Sequence, residues 1–171
     1  MVYFFGKYFI KLIHMFEIVL YEPEIPPNTG NIARTCAVTF TKLHVIQPLG
    51  FELTDKSLKR SGMDYWQHVE WKVWPDWDTY YASVTEGKRM WFVESGGSKS
   101  YTDIQFQKGD ILVFGKESKG LPIDLYQKNE DQWISIPMPN TQSRSLNLSN
   151  CVAIVLFEAL RQHDFTIPGP I

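Results

Sequence analysis

The sequence predicts a single α/β domain with a mostly parallel sheet. Short apolar runs that are typical of strands alternate along the chain with segments of helical periodicity, the pattern of a parallel sheet covered by helices. With 171 residues, of which 44% are hydrophobic, the chain can bury one sizeable core. We expect the domain over residues 15–165, an N-terminal extension of residues 1–14 outside it, and a tail of residues 166–171.

The elements are predicted in order from the first apolar run. Residues 16–21 form a strand, and after a proline-rich turn residues 28–40 form a helix. The further strands are predicted at residues 43–46, 69–73, 90–93, 111–114 and 133–136. The further helices are predicted at residues 55–61, 77–85, 122–127 and 150–162.

The last of these helices is apolar around nearly its whole circumference between Cys151 and Phe157. Such a helix has to be covered on more than one side. One small sheet covers one face, so we expect a second subunit on another; the alternative is a central helix in a monomer.

Charge and cysteine content narrow the classes of function. The net charge of −2 indicates no overall attraction to nucleic acid, so an RNA site has to be local. The local basic candidates are Lys56, Lys59 and Arg60 in one stretch and Lys116, Lys119 and Arg144 in another. Cys36 and Cys151 have no CxxC partner or histidine cluster near them, so neither a metal site nor a disulfide framework is predicted.

The sequence also indicates where in the cell the protein works. No apolar run is long enough to span a membrane, and the aromatic N-terminal stretch lacks a small-residue cleavage site. We therefore expect a cytoplasmic protein with reduced thiols.

Residues 25–34, IPPNTGNIAR, connect the first strand to its helix. We expect Asn28 or Thr29 to cap this helix, whose positive end then faces the loop. Arg34 follows within the helix and is suited to gripping a phosphate. When this segment is considered alone, a capped helix with a solvent-exposed arginine explains it and is the favoured interpretation.

Residues 111–122, ILVFGKESKGLP, join a buried strand to a polar turn that contains Glu117. Leu121 and Pro122 stand where a P-loop requires Lys and Ser or Thr, so a nucleotide triphosphatase is excluded. Gly115 would let a flat ligand approach the strand end closely. An ordinary tight turn is the alternative.

Residues 134–150, ISIPMPNTQSRSLNLSN, hold a polar loop between two buried elements. Its hydroxyl and amide side chains both donate and accept hydrogen bonds, as recognition of an adenine, an amino acid moiety or a ribose requires. Helix capping by Asn147 or Ser149 explains only part of this set.

Together and in this order, the three segments resemble the sequence motifs of the SPOUT superfamily of RNA methyltransferases. The most similar group is the small bacterial TrmL/YibK group of tRNA 2′-O-methyltransferases, which act on the wobble nucleotide. The resemblance covers residues 16–162 and implies a C-terminal deep trefoil knot, a homodimer whose site is completed by the second subunit, and a tRNA anticodon stem-loop as substrate.

The resemblance also implies S-adenosylmethionine (AdoMet) as cofactor, bent against loops at Val93 and Glu94, residues 115–121 and residues 136–146. The implied cofactor-binding residues are Val93, Gly115, Leu121, Ile136, Met138, Ser145 and Leu146. The implied catalytic residues are Arg34, Glu117, Ser145 and Asn147. Asn28, Arg34, Lys59, Arg60 and Arg144 are the expected substrate-binding residues, and no metal is implied.

The chemistry assigned to Arg34 has two versions. A guanidinium is effectively never neutral in a protein, so we favour a clamp that fixes the adjacent phosphate and stabilises the developing alkoxide. A general-base role is the alternative. The alternative functions are methylation of rRNA ribose, or of a base, by an enzyme of the same superfamily, and a non-catalytic RNA-binding module that kept the fold.

Overall fold

The structure is a computed structural model that describes residues 14–52, 68–140, 142 and 145–166, and the backbone of two strands before them. The strands are β1 (Val2–Phe5), β2 (Tyr8–Lys11), β3 (Glu17–Tyr21), β4 (Lys42–Ile46), β5 (Trp71–Trp74), β6 (Met90–Val93), β7 (Lys99–Ser100), β8 (Ile111–Phe114) and β9 (Trp133–Ser135). The α-helices are α1 (Pro26–Thr39), α2 (Trp77–Ala82), α3 (Ile123–Lys128) and α4 (Leu148–Arg161). Short 3₁₀ helices lie at Tyr101–Asp103 and Glu130–Gln132.

Seven strands form one sheet in the order β5-β4-β3-β8-β6-β9-β7, and every pair in it is parallel. This confirms the predicted α/β domain with a mostly parallel sheet. Because the strands are parallel, their carboxyl ends lie along one edge, where ligands bind in such sheets.

Alternation along the strands divides the core into two layers. In β3, Ile18 and Leu20 pack with α1 and α4, whereas Val19 packs with α2 and α3 on the opposite face. In β8, Leu112 faces the first layer and Val113 the second. Successive side chains of a strand point to opposite faces, so these short apolar runs are buried on both sides.

The start of α1 differs from the prediction. The expectation that Asn28 or Thr29 caps it is wrong, because the helix begins at Pro26 and Ile25 stands at the N-cap without a side-chain hydrogen bond. Prolines suit the first helical positions since they have no N–H to satisfy and a preset φ. The Asn28 side chain is therefore free to bind elsewhere.

Two regions carry strands that the sequence pattern did not predict. β7 has only two residues, and β1 and β2 pair antiparallel in a separate sheet within the predicted N-terminal extension. His14, at the end of that extension, bonds through Nδ1 to the Phe40 carbonyl and through Nε2 to Glu70, at 2.7 and 3.0 Å. The domain boundaries stay a prediction, and the helix predicted at residues 55–61 lies outside the described residues.

One face of α4 is exposed. Val152, Val155 and Leu156 are buried against the sheet, whereas Ile154 and Phe157 on the other face are 36% and 45% exposed. The aromatic rings of Phe157 and exposed Phe165 lie 6.2 Å apart. In the described ranges, no helix has the length and apolar character needed to cross a membrane.

A polar network of Glu17, His44, Trp74 and Lys88, here called the Glu17 network, begins at the amino end of β3. The Trp74 indole donates to His44 Nδ1 at 3.0 Å, and His44 Nε2 lies 2.9 Å from Glu17 Oε2. Lys88 also donates to Glu17. Because an indole N–H only donates, Nδ1 accepts, so the His44 proton is on Nε2 and the ring is neutral.

The pKa values of this network follow from burial and its partners. Burial lowers the pKa of His44, against the opposing effect of Glu17. Burial raises the pKa of Glu17, but hydrogen bonds from His44 and Lys88 outweigh it and lower the pKa to about 2.

Candidate functional site

A cavity of about 370 Å³ lies at the carboxyl ends of β6, β8 and β9, beside the start of α4. Six residues predicted to bind the cofactor line it: Val93, Gly115, Ile136, Met138, Ser145 and Leu146. Asn28, Glu117 and Asn147 line it as well. The three sequence segments are therefore brought together around one space.

Asn28 joins these segments directly. Its amide Nδ2 donates to Glu117 Oε1 at 3.0 Å, and its Oδ1 accepts from Asn147 Nδ2 at 2.9 Å. Asn28 is 6% exposed, so its polar atoms need these partners. We call Asn28, Glu117 and Asn147 the Asn28 network.

The Glu117 carboxylate holds the loop before α1. Oε2 accepts from the Glu24 backbone N–H at 2.8 Å, and Oε1 accepts from the Ile25 N–H at 3.3 Å. These N–H groups precede the first helical turn, where intrahelical acceptors are missing. In this arrangement the Glu117 carboxylate holds the loop before α1, and the catalytic role expected for it stays a prediction.

The same two loops bind each other in the reverse direction. Glu24 accepts from both the backbone N–H and the hydroxyl of Ser118, each at 2.8 Å, and these bonds lower the pKa of Glu24. Lys116 forms an ion pair with Glu22 at 2.6 Å. The loop after β3 and the loop after β8 are thus joined at three successive positions.

Asn147 orients the third segment. Its Oδ1 accepts from the Ser149 N–H at 2.8 Å and the Ser149 hydroxyl at 2.7 Å, so Asn147 caps α4 as predicted. The opposite end of the same amide donates to Asn28. One side chain therefore fixes both the start of α4 and its position relative to α1.

Gly115 is required for a reason other than the one expected. A Cβ on Gly115 would lie 2.3 Å from the carbonyl carbon of Gly120 and 2.4 Å from Leu121 N, so the turn folds back onto Gly115. This close approach is made by the loop's own backbone, and the expected approach of a flat ligand to Gly115 stays a prediction. Gly120, at φ +67°, has the left-handed conformation that favours glycine.

Glu94 was placed in a cofactor loop but given no role, and the structure puts it inside the cavity. Its Oε2 accepts from Leu121 N at 3.0 Å, and its Oε1 accepts from Ser95 N and Oγ at 3.0 and 3.1 Å. Leu121 is buried and does not line the cavity. An acidic residue directly after a buried parallel strand is the signal that could have identified Glu94.

Cys151 of α4 also lines the cavity. Burial raises the pKa of its thiol, and the nearby charge of Glu94 acts in the same direction. The thiol is therefore kept protonated. Within the described residues, no group of three His, Cys, Asp or Glu side chains is arranged to hold a metal ion.

The predicted basic residues are not assembled in one place: Lys116 lines the cavity, whereas Lys119 does not. Arg34 is exposed on α1 and does not line the cavity. Lys59, Arg60 and Arg144 lie outside the described residues. Their proposed contacts with substrate stay predictions.

Comparison with known proteins adds independent findings. A tRNA (cytidine(34)-2′-O)-methyltransferase of Methylovorus glucosotrophus is 50% identical over 153 residues, covering 88% of this chain and 97% of the relative. A solved structure that gives insights into the 2-OH methylation of C/U34 on tRNA is 40% identical in sequence to this chain, with a TM-score of 0.84. The match covers 90% of this chain and 99% of that one.

A more distant structure, an AdoMet-bound rRNA methyltransferase of Sinorhizobium meliloti, shares the fold at 23% identity with a TM-score of 0.75. This match covers 88% of this chain and 57% of the Sinorhizobium meliloti chain. Residues 15–157 match the profile of the SpoU rRNA Methylase family. With that match over most of its length, and a 50% identical relative, the chain belongs to the SpoU methylase family.

Proposed function

We propose that this protein is an AdoMet-dependent tRNA methyltransferase that acts on the ribose 2′-hydroxyl of the wobble nucleotide, a cytidine or modified uridine at position 34. The observation that carries the proposal is the convergence of three separate segments on one cavity, joined by the two hydrogen bonds of Asn28. The name of the 50% identical relative supports the choice of nucleotide.

The residues present fit AdoMet. The volume of about 370 Å³ falls within the range of small-molecule sites, and apolar walls alternate with a few polar groups. Ile136, Met138 and Leu146 suit a flat adenine, and Glu94 and Ser145 suit polar atoms of ribose or methionine. When bound, AdoMet supplies a methyl group that its sulfonium has already activated.

Holding this cofactor is assigned to backbone near Val93, Gly115 and Ile136, with Met138, Ser145 and Leu146. Leu121 contributes through its N–H, which holds Glu94 in the cavity wall. The Asn28 network lies at the polar side, where the target ribose would have to meet the reactive end of the cofactor. Its hydrogen bonds fix both loops before substrate arrives, which is the alignment that a displacement reaction needs.

Arg34 is exposed on α1 and does not line the cavity of its own subunit. It lies six residues beyond Asn28 on α1, which is about 9 Å along the helix axis at the usual rise. This separation supports a role for Arg34 at a cavity other than that of its own subunit. We propose a homodimer in which Arg34 of one subunit serves the cavity of the other.

The exposed apolar face of α4 supports this dimer. Ile154 in the middle of α4 and Phe157 three residues later are exposed large hydrophobic side chains, and exposed Phe165 beyond the helix packs near Phe157. In a dimer with two-fold symmetry, this face of one subunit would cover the same face of the other. We propose further that the C-terminal part is tied in a trefoil knot, as the family resemblance implies, and that the enzyme works in the cytoplasm.

In the proposed mechanism, Arg34 binds the phosphate beside the target nucleotide and stabilises the alkoxide as it develops. The proton of the 2′-hydroxyl leaves to that phosphate or to water, since the guanidinium holds its own protons. Asn28, Glu117 and Asn147 keep the loops in place, and Ser145 lies near enough to the cavity to orient the ribose.

Mass spectrometry of nucleosides tests the function. Purified protein is incubated with AdoMet and a tRNA transcript, and with a matched transcript carrying 2′-deoxycytidine at position 34. We expect one methyl group on the ribose of nucleotide 34 in the first and none in the second. Methylation of rRNA fragments instead would indicate the rRNA function, and tRNA binding without methyl transfer would indicate a non-catalytic module.

A further inference from the structure

We propose that Glu94 is a cofactor-binding residue that accepts a hydrogen bond from a ribose hydroxyl of the AdoMet adenosine. The inference rests on the proposed placement of AdoMet in the cavity. It adds a specific contact that none of the three sequence segments contains.

The position of Glu94 in the sheet is the first argument. β6 lies between β8 and β9, so the residue that follows β6 stands in the middle of the cavity, between Gly115 and Ile136. Glu94 continues the sheet by one residue, since its N–H donates to the Ile134 carbonyl at 3.0 Å. Its backbone is therefore held as firmly as the strand itself.

The two ends of the cavity differ in chemistry. The side next to β8 carries the Asn28 network, whereas the side next to β9 carries the apolar residues Ile136 and Met138. A flat adenine suits the apolar side, and the methyl group has to face the polar side where the target ribose binds. The cofactor's own ribose joins these two parts, so it lies over β6 and beside Glu94.

The bonding capacity of the carboxylate is the second argument. In the described part of the chain, the Glu94 carboxylate accepts hydrogen bonds from neutral donors: Ser95 N, Ser95 Oγ and Leu121 N. A carboxylate accepts about four hydrogen bonds, so Oε2 keeps room for one more. Carboxylates after strands bind ribose hydroxyls in the same way in dinucleotide folds.

The fit of the loop around the carboxylate is the third argument. A Cβ on Gly120 would lie 2.0 Å from Glu94 Oε2, so the turn is packed directly on this oxygen. Leu121 N holds the oxygen at 3.0 Å. Glu94 is thereby oriented before any ligand binds, which reduces the entropy lost on binding.

Calorimetric titration of Glu94→Gln tests this contact. Glutamine has one acceptor oxygen where glutamate has two. Ser95 N and Oγ both donate to Oε1, so they hold that oxygen, and the NH2 group takes the place of Oε2, where it cannot accept from a ribose hydroxyl. The ligands are AdoMet, S-adenosylhomocysteine and the 2′-deoxy and 3′-deoxy analogues of S-adenosylhomocysteine. The matched control is Glu86→Gln, which changes an exposed carboxylate outside the cavity. Thermal melting of each variant establishes that it is folded.

For wild type and Glu86→Gln, removal of one of the ribose hydroxyls should weaken binding about 10- to 100-fold. For Glu94→Gln, binding of the parent ligand should already be weakened by about that factor, and removal of the same hydroxyl should add less than about threefold. This non-additivity identifies a direct contact.

Three outcomes overturn the inference alone. In the first, Glu94→Gln binds the parent ligand as wild type does. In the second, Glu94→Gln binds the parent ligand weakly, and removal of either ribose hydroxyl still weakens its binding as much as in wild type. Glu94 would then only support the loop. In the third, it weakens AdoMet far more than S-adenosylhomocysteine, which places Glu94 at the sulfonium. If wild type binds none of these ligands, the proposed function fails, and this inference fails with it.

Discussion

The molecule holds two polar networks at opposite ends of its sheet, and they differ in what surrounds them. The Glu17 network starts at the first residue of β3 and is packed among aromatic rings, including Tyr80 at 5.1 Å from His44. The Asn28 network lies at the carboxyl ends and borders a cavity of about 370 Å³. Similar kinds of hydrogen bond therefore stabilise the fold at one end and shape a site at the other.

The comparison shows that burial of polar groups does not by itself indicate function. Glu17 has a strongly lowered pKa, of about 2, yet it does not line the cavity at the carboxyl ends. Perturbed carboxylates occur in structural ion pairs as well as in active sites. Access to a ligand-sized space, together with convergence of separate loops, is what distinguishes the Asn28 network.

The largest effect is expected at Arg34. Arg34→Ala should bind AdoMet normally and lose about 100-fold or more in turnover, the scale for removing one transition-state donor. Arg34→Lys keeps the charge but loses the planar fork, so it should lose a similar factor. Single-turnover rates across a pH series provide the measurement.

The pH series separates the two versions of the Arg34 role. A lysine variant that recovers most of the wild-type rate at high pH would support a general base and contradict the clamp. Full activity of Arg34→Ala would contradict both versions.

The next largest effect is expected for Gly115→Val. Its side chain would meet the Gly120 backbone at 2.3 Å, so the turn has to move and AdoMet binding should be lost. Because the turn also holds Glu94 and the α1 loop, the free energy of unfolding should fall by about 1–3 kcal/mol. Calorimetry and denaturant melts measure both quantities; unimpaired affinity would place the cofactor elsewhere.

The same substitution in each network sharpens the comparison further. Glu117→Gln should reduce turnover about 10-fold or more because it loosens the loop before α1, which places Asn28. Glu17→Gln should lower the free energy of unfolding by about 1–3 kcal/mol with turnover changed less than about twofold. Loss of turnover in a folded Glu17→Gln protein would show that the two networks are not separate.

Acid should weaken the Glu17 network specifically. The pKa of Glu17 is lowered from 4.5 to about 2, so its contribution of up to about 3 kcal/mol is present above pH 4.5 and lost as pH falls toward 2. The pKa of His44 is lowered too, so protonation below its ordinary 6.5 favours the unfolded chain. Unfolding free energies between pH 7 and 3 should decline less steeply for Glu17→Gln; identical slopes would contradict the assignment.

The features of the fold and the site that could be predicted from the sequence are those that local residue patterns encode. Apolar runs at residues 90–93 and 111–114 predicted β6 and β8 at their observed bounds. The three polar segments predicted most of the cavity lining, because each follows a strand and carries several hydrogen-bonding side chains. β7 was missed because two residues are too few to show a period.

Contacts between distant residues could not be derived in this way. The Glu17 network joins residues of β3, β4 and β5 to Lys88, which precedes β6. The spacing of these residues along the sequence does not indicate that their side chains meet. The clash that excludes a side chain at Gly115 depends on how the turn folds back on itself. The role of Glu117 likewise depends on which backbone N–H groups lie opposite its carboxylate.

The central claim is that the cavity at the carboxyl ends of β6, β8 and β9 binds the cofactor beside the Asn28 network. A crystal structure of the protein grown with S-adenosylhomocysteine tests it most directly. The account predicts ligand density between Gly115 and Ile136, with the homocysteine end toward Asn28 and Asn147 and Arg34 of a second subunit facing the cavity. Density for the ligand at any other place, with this cavity left without it, would contradict the account.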